Sequence, residues 1–280
     1  IVVSAKLFLD IVRRLPEEIV FIETDERMVT YIACGKVNYQ IVGMSSVEYP
    51  DLPSFEQTDR ITLNAKILRD MIRQTVYAVS ENTAKPIYTG SLDEIEDGIF
   101  KIIAIDGYRM AIRSENVNSE SKNRFVVPGK TQHEVLKLLT DDEENTEIII
   151  GQRHITFKIK NYRIISRLIE GTFIEYKSAI PKETKTEVVI NTRTIIDAVE
   201  RMSLLNNDRI QSPVRCIFSD DEIKLSCTSA VGRANDVISV PIIGESVEIG
   251  FNNRYLLDDL KNADTDEIKL ILNGSIKEMI

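Results

Sequence analysis

Few residues in this chain are equipped for catalysis, and they are scattered. His133 and His154, the only two histidines, have no serine or cysteine nucleophile close in sequence and no second histidine at a chelating spacing. Neither a charge-relay triad nor a metal site is therefore predicted. Cys34, Cys216 and Cys227 stand far apart, and an odd number of cysteines without Cys-x-x-Cys spacing suits neither a disulfide framework nor a zinc cluster. Gly129-Lys130-Thr131 follows the strand-like run Phe125-Val126-Val127 and precedes a helical pattern, which is the setting of a phosphate-binding loop. Such a loop needs another glycine five residues before Gly129, so that successive backbone N–H groups can wrap the phosphates, and Arg124 stands there. The acidic run Asp141-Asp142-Glu143-Glu144 could hold a cation but reads as a solvated loop between helix and strand. No catalytic residue, metal or cofactor is assigned.

What remains is charge and its distribution. With 280 residues, 43% hydrophobic and 28% charged, the chain can bury substantial cores and falls in the range of two or three globular domains. Its longest apolar runs fall far short of the ~18 residues a membrane span requires, no signal-peptide pattern opens it, and a reducing cytoplasm is the default compartment. The balance of 35 basic against 44 acidic residues, −9 in all, argues against a nucleic-acid binder coated in positive charge. Yet the five helical stretches 2–15, 64–79, 126–139, 191–205 and 250–263 together carry +5, which leaves −14 on everything else. The pattern predicts one positive face on a body that repels phosphate.

Those helices belong to an internal repeat. Lys6, Lys130 and Arg254 are spaced 124 residues apart, and each follows a short apolar run. An acid comes four residues later (Asp10, Glu134, Asp258), then an apolar residue (Val12, Leu136, Leu260) and a base (Arg13, Lys137, Lys261), so one amphipathic helix is written three times. A second helix class, Asn64 to Tyr77 and Asn191 to Leu204, has asparagine as its expected N-cap. Strand-like meanders follow each class: 99–113 and 223–238 after the second, 148–167 and 268–280 after the first. The unit is helix, strands, helix, strands, too long for a solenoid repeat of about 20–50 residues. Three homologous α+β domains are expected. They are 1–55, holding only the second half of a unit; 56–181, the complete one; and 182–280, lacking its last strands, since a full third copy would run to about residue 305. On this reading the chain is a piece cut at both ends.

Ala104-Ile105-Asp106-Gly107-Tyr108-Arg109-Met110 resembles the Ala-Thr-Asp-Gly-x-Arg-Leu stretch of the bacterial sliding clamps, the beta subunits of DNA polymerase III. Lys85-Pro86-Ile87-Tyr88-Thr89-Gly90, Gly171-Thr172-Phe173-Ile174-Glu175-Tyr176 and Ile249-Gly250-Phe251-Asn252 with Tyr255 match further family stretches in the same order. The resemblance covers essentially the whole chain. It implies a DNA-clamp fold, with two helices of each domain packed on antiparallel sheets, and a head-to-tail homodimer that rings duplex DNA with its helices lining the hole. It implies a processivity factor of DNA replication without catalysis of its own, an exonuclease activity included. Its partners would be double-stranded DNA bound without regard to sequence, the polymerase III catalytic subunit, the clamp loader and other proteins carrying a clamp-binding motif, with no membrane. A repeat scaffold that binds proteins but not DNA is the competing reading.

Three sets of residues follow. DNA contact is expected from Lys6, Arg13, Arg14, Lys66, Arg69, Arg73, Lys130, Lys137, Arg193, Arg201, Arg254 and Lys261, because the basic registers repeat. For the partner-peptide pocket, the resemblance points to Tyr88, Ile105, Gly107, Tyr108, Arg109, Met110, Ile174, Ser178 and Ala179. Here Ile105, Tyr88, Ile174 and Ser178 replace the Thr, Leu, Pro and, in some relatives, Arg of the family, so a pocket is implied but its peptide preference is not. For the dimer interface it sets Tyr39 and Ile41 of the first domain against Leu204 and Leu205 of the partner's third domain. The alternatives are that Leu204 and Leu205 close their own core, and that Ile105, Met110 and Ile174 are ordinary core residues.

Overall fold

The structure is a computed structural model, and it describes residues 1–16, 19–47, 49–50, 59–140, 144–206 and 212–280. The expected domain boundary at 55/56 and Asp141, Asp142 and Glu143 of the acidic run lie outside the described residues. The chain forms two compact units, 1–54 and 55–280.

In the first unit α1 (Ala5–Val12) precedes β1 (Val20–Thr24), β2 (Val29–Cys34) and β3 (Val37–Val42), which pair antiparallel in that order. The Ser4 hydroxyl accepts the Leu7 N–H at 3.4 Å and caps the helix. Ile11, Ile32 and Ile41 form the core of this unit.

The second unit holds two copies of one topology. The central copy runs β4 (Asp59–Asn64), α2 (Ala65–Val76), β5 (Gly90–Glu96), β6 (Ile99–Ile105), β7 (Met110–Asn116), β8 (Asn123–Pro128), α3 (Gly129–Leu138), β9 (Asn145–Ile150), β10 (His154–Ile159) and β11 (Tyr162–Arg167). Its sheets have the orders β7-β6-β5-β8 and β11-β10-β9-β4. The C-terminal copy runs β12 (Thr186–Asn191), α4 (Thr192–Ser203), β13 (Val214–Ser219), β14 (Glu222–Ser229), β15 (Gly232–Ser239), β16 (Ile242–Gly244), β17 (Val247–Phe251), α5 (Asn253–Lys261) and β18 (Glu267–Leu272). Its sheets are β15-β14-β13-β17 and β16-β12-β18. The helix-then-three-strand order of the first unit repeats that of α3 through β11. One expectation changes: the meander over 268–280 is a single strand, β18, after which the chain turns back to a lone bridge between Leu272 and Met279.

Local sequence explains the helix starts. The side chains of Asn64, Asn191 and Asn252 accept N–H groups of the first turns of α2, α4 and α5 at 2.9–3.4 Å. Leu68, Met71, Ile72 and Val76 then line one face of α2 and bury against both central sheets, together with Val135 of α3. Each such side chain is worth ~1.5–3 kcal/mol of burial. Gly129 is explained by packing: a Cβ there would lie 3.0 Å from the Thr89 carbonyl oxygen and from a methyl of Val79, so the start of α3 sits flush on its neighbours.

Candidate functional site

The five α-helices of the described residues begin alike. Lys6, Lys66, Lys130, Arg193 and Arg254 occupy the second helical position of α1 to α5, and none of these helices has an acid in its first turn. In a chain of net charge −9 this is the reverse of what helix stability favours, because the positive end of the macrodipole is best met by Asp or Glu, at ~0.3–1 kcal/mol each. All twelve expected DNA contacts are exposed except Arg69 and Arg73, which are half-buried. They divide by pairing. Lys6, Arg13, Lys66, Lys130 and Arg254 make no ion pair among the described residues. By contrast Arg14 meets Asp10 at 3.6 Å, Arg69 meets Asp70 at 3.9 Å, Arg73 meets Asp264, and Lys137 meets Glu134 at 2.8 Å. Arg193 meets Asp197 at 2.9 Å, Arg201 hydrogen-bonds Asp236 at 2.8 Å, and Lys261 meets Glu200 at 2.7 Å.

The nine pocket residues separate into two neighbouring regions that share Tyr88. One is apolar: Tyr88, Ile105 and Met110 are half-buried on a cluster of Leu92, Ile103, Val126, Phe173 and Tyr176, with the Tyr88 and Phe173 rings edge-on at 5.6 Å. Ile174 beside it is 45% exposed, and Ser178 and Ala179 are exposed. The other is a cleft of about 790 Å³ lined by Tyr88, Gly107, Tyr108 and Arg109 together with Tyr77, Lys85, Asp106, His133, Arg254, Tyr255 and Asp258. The sequence reading left Lys85, Tyr255 and Asp258 out of the pocket. Lys85 and Tyr255 lay within the family-like stretches, whereas Asp258 was legible only as a repeat register.

Arg109 holds this cleft in shape. Asp106 accepts the backbone N–H groups of Tyr108 and Arg109 at 2.8 and 3.0 Å, folding 106–109 into a tight turn in which Gly107 has φ +99. A Cβ on Gly107 would meet nothing within 4 Å, so glycine is required there by backbone conformation. The Arg109 guanidinium donates to Asp106 at 3.0 Å, to Asp258 of α5 at 2.9 Å and to the Tyr77 carbonyl at 3.0 Å. It also lies over the Tyr255 ring at 4.5 Å and the Tyr77 ring at 5.2 Å. Arg109 thus lines the cleft while spending its donors on joining the central and C-terminal copies. Burial, foremost, and the neighbouring Asp259 carboxylate push the Tyr77 phenol up.

The interface residues also divide. Leu204 is 82% exposed at the end of α4, whereas Leu205 packs partly against its own core. Tyr39 is 38% exposed, but Ile41 is only 8% exposed. Its side chain is consumed by the core of the first unit, so it has little area to offer a partner.

Repeated helices with basic starts, set on antiparallel sheets, define a clamp architecture. Comparison with known proteins agrees. The DNA polymerase III beta subunit family matches with its N-terminal domain at residues 1–53, its central domain at 62–175 and its C-terminal domain at 177–280. The beta sliding clamp of Halalkalibacterium halodurans is 33% identical across this whole chain, which covers 76% of that relative. A putative DNA polymerase III beta subunit from Eubacterium rectale superposes with a TM-score of 0.95 at 32% identity, over 99% of this chain and 76% of that one. The Bacillus subtilis DNA polymerase sliding clamp gives 0.95 at 32% identity, over 98% and 74%. This chain belongs to the DNA polymerase III beta subunit family, and its function is that of a DNA sliding clamp. Among the described residues no helix is long and apolar enough to cross a membrane, and no three His, Cys, Asp or Glu side chains are grouped to hold a metal.

Proposed function

We propose that two copies of this chain join head to tail in a ring around duplex DNA, present the basic helix starts to phosphates, and hold partner proteins by a short peptide laid in the groove at Tyr88. The domains would be 1–55, 56–181 and 182–280. The work is cytoplasmic and needs no catalysis, because topological linkage plus weak, sequence-blind attraction is enough to keep a polymerase on its template. One observation carries the DNA reading: a base at the second position of all five α-helices of the described residues, with no acid in any of their first turns. Cation and helix N-terminus together suit a phosphate oxygen.

Support for the dimer comes from comparing the two copies of the second unit. Tyr77 ends α2 and Leu204 ends α4 at matching positions. Tyr77 lies under the Arg109 guanidinium, which is tied to Asp258 of the C-terminal copy at 2.9 Å, while Leu204 is 82% exposed and Val231, in the turn whose Gly232 lies beside Leu205, is 66% exposed. A second copy of the chain would supply the missing cover, with Tyr39 as one of its contacts. For the peptide, a motif of the Gln-x-x-Leu-Phe kind would seat its Leu and Phe on the apolar half of the groove.

Retention on a nicked circular DNA tests the reading. A loaded clamp should stay through gel filtration, leave when the circle is linearised, and bind more weakly as salt rises, with little dependence on base sequence. A protein that never stays on the circle is the protein-only scaffold.

A further inference from the structure

The groove wall is a loop, and a loop needs something to hold it. After β11 the chain crosses the outer face of the β7-β6-β5-β8 sheet. The Ile169 N–H donates to the Val126 carbonyl at 2.9 Å, and Phe173 and Tyr176 are buried on Leu92, Ile103 and Val126. This crossing segment carries Ile174, Ser178 and Ala179. Two side-chain hydrogen bonds tie it to the sheet: the Arg124 guanidinium donates to the exposed Ile174 carbonyl at 3.5 Å, and the Tyr176 hydroxyl, on a side chain 2% exposed, donates to Oε2 of Glu94 at 2.8 Å in the buried part. Glu94 is itself 8% exposed in the middle of β5. Arg124, its cross-strand neighbour on β8, lies 3.8 Å from the other carboxylate oxygen and reaches the Glu175 carboxylate at 3.8 Å.

A buried carboxylate in a sheet centre costs folding free energy unless it is paired, so its presence calls for a reason. In the C-terminal copy the matching position of β13 holds Ile217, a half-buried apolar residue. The carboxylate stands where a loop must be fastened down. Tyr176 lies two residues from Ile174 and two from Ser178, so whatever fixes its ring fixes both ends of the exposed wall.

Resting on the peptide-groove reading, we propose that Glu94 and Tyr176 are positioning residues for partner binding: their hydrogen bond holds the 173–179 wall in its binding-competent place without either side chain touching the peptide. A wall docked only part of the time lowers apparent affinity by that fraction. Apolar packing of Phe173 keeps the segment near the sheet without it, and the hydroxyl tie fixes its register.

Tyr176→Phe removes one oxygen and leaves the packing ring. Titration of wild-type protein and variant with a labelled Gln-Ala-Ala-Leu-Phe peptide, far below the melting temperature, should show a loss of about tenfold in affinity. Amide exchange at Ser178 and Ala179 should rise, while dimerisation and retention on circular DNA stay as in wild type. Glu94→Gln keeps an oxygen acceptor for the hydroxyl and should restore most of the affinity. Unchanged affinity in Tyr176→Phe, even with a lowered melting temperature, overturns the inference, as does a Glu94→Gln loss as deep as that of Tyr176→Phe. A wild-type protein that ignores the peptide removes the groove reading and this inference with it.

Discussion

The central and C-terminal copies share a topology but fill one core site with opposite chemistry. At matching positions under the helices, the central copy buries Ser91, Asp93 and Gln132, and the C-terminal copy buries Val214, Cys216 and Leu256. Ser91 donates to Asp93 at 2.8 Å, and the Gln132 amide donates to Ser91 at 3.1 Å and to Asp93 at 3.2 Å. Gln132 Oε1 has no hydrogen-bond partner among the described residues. Among the described residues no cation pairs with Asp93, and burial raises its carboxyl to about 8. Burial likewise pushes the Cys216 thiol up to about 12. One backbone position therefore tolerates an acid or a thiol, and which one it holds decides whether that position makes the domain's stability depend on pH near neutrality.

The largest expected effect follows from that contrast. An acid whose pKa rises from 3.8 unfolded to about 8 folded keeps its proton longer in the native state. Stability of the central copy should therefore be greatest near pH 4, fall as pH rises toward 8 by something on the order of several kcal/mol, and level off above. Cys216, neutral throughout that window, gives the C-terminal copy no matching slope; its raised acid, Asp259, at about 6, adds a smaller one confined to lower pH. Amide exchange in α2 and α4 between pH 5 and 9 would separate the two. Transplanting Ser91→Val, Asp93→Cys and Gln132→Leu together should flatten the central profile; an unflattened one would place the pH dependence elsewhere.

Next in size is the bare end of α4. Leu204→Ala with Leu205→Ala should give folded monomers in sedimentation, each side chain contributing ~1.5–3 kcal/mol of burial. Because Leu205 already packs on its own core, Leu204→Ala alone should carry most of the shift toward monomer with almost no change in melting. An intact dimer would remove both leucines from the interface.

At the covered end of α2, Arg109→Ala leaves Asp106 and Asp258 without their shared cation, at a cost of about 2 kcal/mol given partial exposure. Urea unfolding of the two copies should then split into two transitions. The smallest effect tests the helix starts. Lys66→Ala should lower the salt slope of DNA binding by about one, whereas Arg193→Ala, whose guanidinium already faces Asp197, should lower it by less. Equal slopes would mean that local pairing does not discount a cation.

Much of this architecture was legible in the chain before folding. Lys6, Lys130 and Arg254 at one spacing, and Asn64 and Asn191 before their helices, are local signals, because capping and amphipathic period act within one or two turns. The three-copy organisation followed from them. The pocket was legible only as a list. Nothing in the spacing of Tyr88, Met110 and Ile174 says that they border an apolar region while Tyr108 and Arg109 face a polar cleft.

The sequence alone determined the repeat, the helix starts and their basic residues, since each rests on interactions between near neighbours in the chain. Tertiary structure decided which cations are already neutralised, that Ile41 turns inward while Leu204 turns out, and that Arg109 joins two domains. It also decided that Asp93 is sealed from water and that Glu94 reaches Tyr176 across 82 residues of chain. The physical reason is that burial and charge pairing are set by what other segments bring to a residue, and those segments are brought together only when the sheets close over the helices.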